Sequence, residues 1–295
     1  MTAIIDTHQH LWDLNQFDLP WAAGSDILNR SFLMSDYLDA TAEIDVVKTV
    51  YMEVDVTPSQ AMEEANYVNG LCAAMDNRMA AAVASGQPGT PGATEALRAL
   101  AELTHIRGIR QVLHVPDATP GHCLQKTFVA DVRLLGELDL TFDLCMRPSE
   151  LGHAVQLVES CPDTQFILDH CGNADPVVVK GDAEPDLSDA FSHTAQQWHD
   201  DISRLAALDN VVCKISGIVA RVPEQWDAST LAPTVNTCLD AFGPNRVIFG
   251  GDWPVCTMGA SYREWTETLL QIIASRPQDE QDKLLHSNAA ALYCI

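Results

Sequence analysis

The sequence has 295 residues, with 17 basic and 41 acidic side chains, and carries a formal net charge of −24. Hydrophobic residues make up 47% of it and charged residues 20%, a balance that is typical of a globular protein and excludes a disordered one. The strong acidity argues against nucleic acid or an anionic membrane as a partner, because phosphate groups would be repelled.

The first residues and the cysteines predict a cytoplasmic protein. The chain begins without a basic region or a long apolar stretch, which argues against a signal peptide. No window approaches the ~20 apolar residues that a membrane helix needs. The nine cysteines are dispersed, odd in number and form no C-x-x-C pair, as expected for reduced and mostly buried thiols rather than disulfides or a zinc finger.

Eight short apolar runs recur along the chain, separated by segments that mostly have helical patterns. Most runs are continuously apolar, which is typical of strands buried on both faces of a parallel sheet. The predicted strands cover residues 4–10, 46–54, 79–85, 106–114, 140–147, 164–172, 210–217 and 246–254. The predicted helices begin with one opened by Thr57-Pro58 and continue at 93–103, 123–138, 149–159, 191–208, 231–242 and 261–274.

Repeated strand-then-helix units predict a closed (β/α)8 barrel, or TIM barrel, that forms a single domain over residues 1–295. An open doubly wound sheet is the alternative, but it should carry a glycine-rich turn after the first strand, where this sequence has Gln9-His10-Leu11-Trp12. Long connections follow the first strand, at 11–34, and the sixth, at 173–198. Both leave the carboxyl ends of strands, where such barrels place their active sites.

Ionisable side chains concentrate at the carboxyl ends of the predicted strands, whereas we expect the strand bodies to lack them apart from Lys48. Burying a charge costs several kcal/mol unless it is paired or ligated, so this distribution indicates a functional site. A ring of structural salt bridges, the alternative, would not need the histidines. His8 and His10 are two residues apart on one strand, so they point to the same face and could converge on a metal ion.

Three motifs stand at the start, middle and end of the chain: Thr7-His8-Gln9-His10-Leu11-Trp12-Asp13, Leu168-Asp169-His170-Cys171-Gly172-Asn173 and Phe249-Gly250-Gly251-Asp252-Trp253-Pro254-Val255-Cys256. They resemble the amidohydrolase superfamily of the amidohydrolase-2 type. More closely, they are similar to its lactonase branch, which includes L-fuconolactonase, L-rhamnonolactonase and pyrone-dicarboxylate lactonase. The resemblance implies an amidohydrolase-type barrel that hydrolyses a cyclic ester.

The resemblance also implies a small metal site or none. Binuclear members of the superfamily bridge their metals with a lysine or a glutamate at the end of the fourth strand, where this sequence has Arg110 and His114. The fifth-strand histidine is missing as well, with Met146 and Arg147 in its place. We therefore expect one zinc ion or a metal-independent enzyme, and no organic cofactor.

The catalytic hypothesis gives Asp252 the role of general base on water, while the cluster of His8, His10 and His170 polarises the carbonyl. If zinc is bound, about four ligands at once come from a larger pool, which is His8, His10, Glu53, His170 and Asp252. Glu53 could instead be a solvated residue at the strand exit. The expected substrate contacts are Trp12, Arg110, His114, Arg147 and Lys214, with Trp21 and Trp253 also shaping the pocket. For Arg147 the alternative is a cap on the barrel rim, and for Lys214 a buried ion pair with Glu53 or an aspartate.

The favoured substrate is a sugar-acid lactone such as L-fucono- or L-rhamnonolactone. A carboxylated lactone is next, since Arg110, Arg147 and Arg221 could neutralise its carboxylates. The rival functions are a mononuclear zinc amidohydrolase or decarboxylase that acts on a small carboxylated substrate, and a non-enzymatic sugar-acid binding protein. A decarboxylase should carry a further histidine on the strand after His170, where Cys213-Lys214-Ile215-Ser216 offers none. The sequence does not determine the oligomeric state, and a homo-oligomer is possible.

Overall fold

Eight parallel strands follow one another around a single sheet in chain order. They were located in a computed structural model that describes residues 3–74, 77–115, 118–189 and 191–295. The strands are β1 (Ile4–Gln9), β2 (Val46–Met52), β3 (Met79–Ser85), β4 (Ile106–Val112), β5 (Thr141–Cys145), β6 (Phe166–Leu168), β7 (Val211–Ile215) and β8 (Val247–Phe249).

A short seam between the first and last strands closes the barrel. Gln9 forms a parallel bridge with Trp253, whose carbonyl accepts the His10 N–H at 2.8 Å. The Asp252 N–H donates to the His8 carbonyl at the same distance. Closure with strands in sequential order confirms the predicted TIM barrel and excludes an open doubly wound sheet. The same hydrogen bonds fix the H-x-H segment next to Asp252.

Helices cover the outside of the barrel, and those of the predicted series occur within a few residues of their expected bounds. The α-helices are Met34–Ala40, Ala61–Ala73, Ala93–Ala101, Lys126–Glu137, Leu151–Ser160, Pro176–Lys180, Ala195–Ala206, Ala228–Phe242, Tyr262–Ile273, Gln278–Asp282 and Asn288–Tyr293. In the described part of the chain, none of them combines the length and the apolarity that crossing a bilayer requires. All nine cysteines are described, all are free, and eight are buried.

The core is divided between the outside and the inside of the barrel. The larger apolar cluster lies between the strands and the surrounding helices. The smaller cluster takes alternate strand residues, among them Ile5, Val50 and Val83, and joins them to Ala289 and Tyr293 of the last helix. Alternation is expected because successive strand side chains point to opposite faces. The last helix thus packs against the barrel interior, and the opposite, carboxyl end is left for a site.

A buried carboxylate holds the seam together. One oxygen of Asp6 accepts the N–H groups of Gly251 at 2.7 Å and His8 at 2.9 Å, and the other accepts the Tyr37 hydroxyl at 2.8 Å. Burial raises the pKa of Asp6, and the hydrogen bonds from Gly251, His8 and Tyr37 oppose that rise. The Asp6 carboxylate therefore accepts hydrogen bonds from β1, through His8, and from the residue Gly251 that follows β8.

Replacing this carboxylate should destabilise the whole barrel. Asp6→Ala leaves two backbone donors and one hydroxyl buried without an acceptor, and each such loss costs about 1–3 kcal/mol. We expect urea denaturation to show a loss of about 3 kcal/mol or more in the free energy of unfolding. Asp39→Ala, at an exposed position of the first helix, is the control and should change it by less than about 0.5 kcal/mol. Equal stabilities of the two variants would contradict this role for Asp6.

Candidate active site

Two histidines and one aspartate meet at the carboxyl end of the barrel beside the seam. His8 Nε2 lies 3.2 Å from His10 Nε2 and 3.5 Å from Asp252 Oδ1. His10 Nε2 is 3.4 Å from the same carboxylate oxygen, while its Nδ1 is 2.9 Å from the Met52 carbonyl. An imidazole that holds a carbonyl with one nitrogen presents the other nitrogen in a fixed direction. The pair therefore faces Asp252 with defined ring orientations.

His170 enters the site from a strained turn after β6. Residues His170, Cys171, Gly172 and Asn173 have φ values of 54°, 54°, 71° and 57°. Left-handed backbone costs a non-glycine residue roughly 1–2 kcal/mol, and such strain is typical of functional sites. The turn also explains why β6 ends at Leu168, whereas we predicted a strand as far as Gly172. The turn places His170 Nδ1 2.9 Å from Ser216 Oγ and packs the His170 ring on His8.

The donor atoms fit one divalent ion. Ligand atoms of His8, His170 and Asp252 all lie within 4.8 Å of one another, and His10 Nε2 borders the same carboxylate. Imidazole nitrogens and a carboxylate oxygen are ligands that zinc accepts. Glu53, the other member of the predicted ligand pool, is not in this cluster, because Arg110 Nε binds one of its oxygens at 2.6 Å and the Asp55 N–H binds the other at 2.6 Å.

A buried lysine lies directly behind the histidines. Lys214 Nζ is 2.8 Å from Asp143 and 2.9 Å from Asp169, and it is 3.4 Å from His8 Nδ1. Lys214 is fully buried and does not line the cavity described below, so the structure places it in the alternative arrangement, an ion pair with aspartates, rather than at the predicted substrate contact. Asp143 also shows that the strand bodies are not free of ionisable groups apart from Lys48, because it lies in the middle of β5.

Arg110 connects this ion pair to β2. Its Nε and Nη2 donate to Glu53, to a side-chain oxygen at 2.6 Å and to the backbone carbonyl at 2.8 Å. Its Nη1 is 3.4 Å from His8 Nε2 and 3.5 Å from Asp169. Arg110 also borders the cavity described below, so the residue faces the site while most of its donors are occupied.

Two further predicted contacts lie elsewhere. Arg147 binds the Glu150 carboxylate at 2.6 Å and the carbonyls of Val115 and Ala118, so it holds the loop after β4 and agrees with the alternative of a rim cap. Trp12 is buried, and its indole N–H donates to the Arg30 carbonyl at 2.6 Å. Neither residue lines the cavity, so the structure does not bring these two predicted contacts together with the other site residues.

A cavity of about 360 Å³ opens over these groups. Its wall contains the predicted residues His10, Arg110, His114, His170 and Asp252. It also contains residues to which the sequence had given no site role or only a passing one, namely Trp21, Asp55, Asn173, Gly217 and Arg221. Trp21, rather than Trp12, forms the aromatic part of the wall. Its indole N–H donates to the Val54 carbonyl at 2.7 Å, which fixes the position of the ring.

The surroundings favour the neutral form of three site imidazoles, those of His8, His114 and His170. Burial, followed by the positive charge of Lys214, holds the pKa of His8 well below its usual value. Burial also lowers the pKa of His170, although Asp252 opposes this, and burial with nearby Arg221 lowers that of His114 to about 3. Neutral imidazoles offer one donor and one acceptor each, which suits them to hydrogen bonding or metal ligation.

The barrel gathers histidines and an aspartate at its carboxyl end, an arrangement that suits a hydrolase with or without a bound metal ion. The amidohydrolase family model matches residues 5–295, and the chain belongs to this family. The predicted hydrolase class and family resemblance are confirmed.

Individual relatives extend this similarity over nearly the whole chain. It is 29% identical to an L-fucono-1,5-lactonase from Burkholderia multivorans, over 99% of this chain and 96% of the relative. A crystal structure of an amidohydrolase from Burkholderia multivorans with bound HEPES superposes with a TM-score of 0.85, at 27% identity and 99% coverage of both chains. A structure of an amidohydrolase from the same organism with bound zinc gives a TM-score of 0.83 at 26% identity, again with 99% coverage of both chains.

Gly217 controls the position of His170. A Cβ atom at this residue would lie 2.2 Å from His170 Nδ1, and its φ is +67°. Gly217→Ala should therefore push the imidazole out of place and lower kcat by at least about tenfold. Gly181→Ala is a matched control, because its φ is +85° but no atom lies within 4 Å of the added Cβ. Both variants should lose about 1 kcal/mol from backbone strain. Equal activities in steady-state kinetics would contradict this prediction.

Glu64, a buried carboxyl near Glu53, should make stability depend on pH. One oxygen accepts from Tyr51 and Val54 at 2.8 Å each, and burial followed by the charge of Glu53 raises the pKa to about 8. Between the ordinary value of 4.5 and about 8, the folded chain keeps a proton that the unfolded chain releases. Wild-type stability from this group therefore falls as pH rises through that window.

Glu64→Gln removes the titration while one oxygen can still accept both hydrogen bonds. Relative to the wild type, the variant should gain stability as pH rises from about 5 to about 8. Urea denaturation at several pH values measures this difference. A difference in the free energy of unfolding that is the same at every pH would show that Glu64 does not bind the proton.

Proposed function

We propose that this protein is a lactonase that hydrolyses a sugar-acid lactone. Water adds to the lactone carbonyl carbon, the bond from that carbon to the ring oxygen breaks, and the ring oxygen takes a proton. The observation that carries the proposal is the Asp252 carboxylate in the cavity wall, with Nε2 atoms of two histidines 3.4–3.5 Å from one of its oxygens. The similarity to an L-fucono-1,5-lactonase supports this chemistry and this class of substrate.

Asp252 acts as the general base in this scheme. A carboxylate can orient a water molecule and accept its proton when the two are within hydrogen-bond reach. The Asp252 N–H is bound to the His8 carbonyl, and its φ of +56° turns the residue away from an extended strand path. The carboxylate is thereby fixed at the mouth of the barrel. The proton that it accepts is returned to the ring oxygen as the ester bond breaks.

Three cavity-wall side chains can stabilise the negative charge that develops on the carbonyl oxygen: His10, Arg110 and His170. Donors that are already oriented cost little reorganisation during the reaction, which is why they lower the barrier. His8 is fully buried beneath them and does not border the cavity. Its role in this scheme is to orient Asp252 and His10, rather than to touch the lactone.

One zinc ion would be held by His8, His170 and Asp252, with His10 adjacent. When bound, such an ion supplies Lewis acidity and lowers the pKa of a coordinated water. The contacts that position the lactone remain those of the protein. The positive groups of Lys214 and Arg110, each 3.4 Å from a nitrogen of His8, oppose the binding of a second cation.

Asp252→Asn tests the proposal. Removal of a general base should lower kcat for lactone opening by about 10² to 10⁴-fold, measured as proton release in a weakly buffered assay. The thermal midpoint should change little, because the amide keeps the size and the backbone contacts of the carboxylate. Asp39→Asn, at an exposed position, should retain full turnover.

Metal content is measured in the same preparations, before and after treatment with a chelator. Near-normal turnover by Asp252→Asn would remove this residue from the mechanism. Chelator-sensitive decarboxylation of a small aromatic acid, with no opening of any lactone, would replace the proposed function by its rival.

A further inference from the structure

One arginine of the cavity wall has no acidic partner among the residues that the structure describes. Arg221 ends the short 3-10 turn Ile218–Arg221 that follows β7, and its side chain lines the cavity together with Asp252. Its Nη2 donates to the Asn173 side-chain oxygen at 3.0 Å. The guanidinium carbon lies 3.9 Å from the centre of the Phe191 ring. An amide on one side and an aromatic face on the other hold the group in place without neutralising it.

The other arginines considered for anion binding are already occupied. Arg110 is bound to Glu53 and reaches Asp169, and Arg147 is bound to Glu150 and to two backbone carbonyls. Among the residues that the structure describes, no carboxylate oxygen lies within 4.0 Å of the Arg221 guanidinium, which distinguishes it from both. Most of its N–H donors therefore remain available to a ligand.

A cation that no described carboxylate neutralises is unfavourable in a partly buried wall. Burial lowers the pKa of Arg221 to about 10, although the negative charges of Asp252, Asp175 and Asp189 oppose that change from a distance. The group is still charged at neutral pH, and removing its hydration costs free energy that a counter-ion would recover. An anionic ligand can supply that counter-ion, and arginine binds carboxylates through two parallel hydrogen bonds.

We propose that Arg221 binds a carboxylate carried by the substrate in addition to its ester. The substrate would then be a lactone of a dicarboxylic sugar acid, or a similarly carboxylated lactone, rather than a neutral aldonolactone. This inference rests on the proposed lactonase function and makes its substrate class more specific. The ester would face Asp252, and the carboxylate would face Arg221 across the same cavity.

The experiment compares two lactones that differ only at the end of the sugar chain. D-glucaro-1,4-lactone ends in a carboxylate, whereas D-glucono-1,4-lactone ends in a hydroxymethyl group, and the corresponding galactaro and galactono lactones form a second pair. The wild-type enzyme should have a kcat/KM that is at least about tenfold higher for the carboxylated member of a pair. Arg221→Gln should abolish most of this preference, mainly by raising KM for the carboxylated lactone.

Two variants control for general effects. Arg221→Lys keeps the charge but loses the planar pair of donors, so its preference should lie between those of the wild type and Arg221→Gln. Arg98→Gln changes an exposed helical arginine and should keep the wild-type preference. Arg98→Gln should also hydrolyse the neutral lactone at a rate close to that of the wild type, because Arg98 does not line the cavity.

The outcomes separate this inference from the function on which it rests. If the wild type opens neutral lactones as well as carboxylated ones, and Arg221→Gln leaves the ratio unchanged, the carboxylate site is overturned while the lactonase function stands. If no lactone is opened, the lactonase function fails, and calorimetry with glucarate, which carries two carboxylates, and glucitol, which carries none, decides the site. Preferential binding of glucarate that is lost in Arg221→Gln supports it, whereas equal binding overturns it.

Discussion

The site depends on a positive charge that is buried behind it. Lys214 is fully removed from water, and such a charge is tolerated only when oppositely charged groups surround it. Asp143 from β5 and Asp169 from the end of β6 provide this environment and hold the pKa of the lysine above its usual value despite burial. Three neighbouring parts of the barrel are thereby constrained to one arrangement, directly beneath His8.

Arg110 extends this constraint across the barrel. It joins Glu53 on β2 to Asp169, and these charges balance one another in a region with little access to water. Burial opposes ionisation of Asp169, but the positive charges of Lys214 and Arg110 outweigh it and hold its pKa below its usual range. The two cations also lower the pKa of His8, after burial. His8 and His170, whose pKa values are lowered mainly by burial, therefore act as neutral hydrogen-bonding groups next to this set of buried charges.

The barrel was predictable because its signal is repeated along the chain. Runs of apolar residues such as Val46–Met52 alternate with helical patterns. Because this alternation repeats, a strand or helix boundary that is misplaced by a few residues does not change the predicted order of the elements. The end of β6 was not predictable in the same way. His170 and Cys171 adopt left-handed backbone although neither favours it, so these two residue types do not predict the turn. That turn is imposed by tertiary contacts, such as the bond from Trp198 to the Cys171 carbonyl.

Which polar residues gather at the carboxyl end was predictable from strand position, but their partners were not. Lys214 and Arg110 both stand near strand ends, yet one is enclosed by aspartates and the other reaches the cavity. The difference arises from which strand neighbours face them, and this depends on register and on strand order around the barrel. Asp143 illustrates the point, since in the sequence it is one acidic residue within an apolar run and gives no sign of the lysine two strands away.

The net charge of −24 and the charges inside the cavity act on an anionic ligand over different distances. Exposed acids repel an anion at long range, but salt screens that repulsion beyond roughly 8 Å at physiological ionic strength. Inside the cavity the balance is set by contact, where Arg110 is compensated by Glu53 and Arg221 is not compensated by any described carboxylate within 4.0 Å. Under the proposed carboxylate binding, the acidic surface would affect how often an anionic lactone arrives, whereas Arg221 would determine whether it is retained. An acidic surface and a site that binds an anion are compatible because the two charges act over different distances.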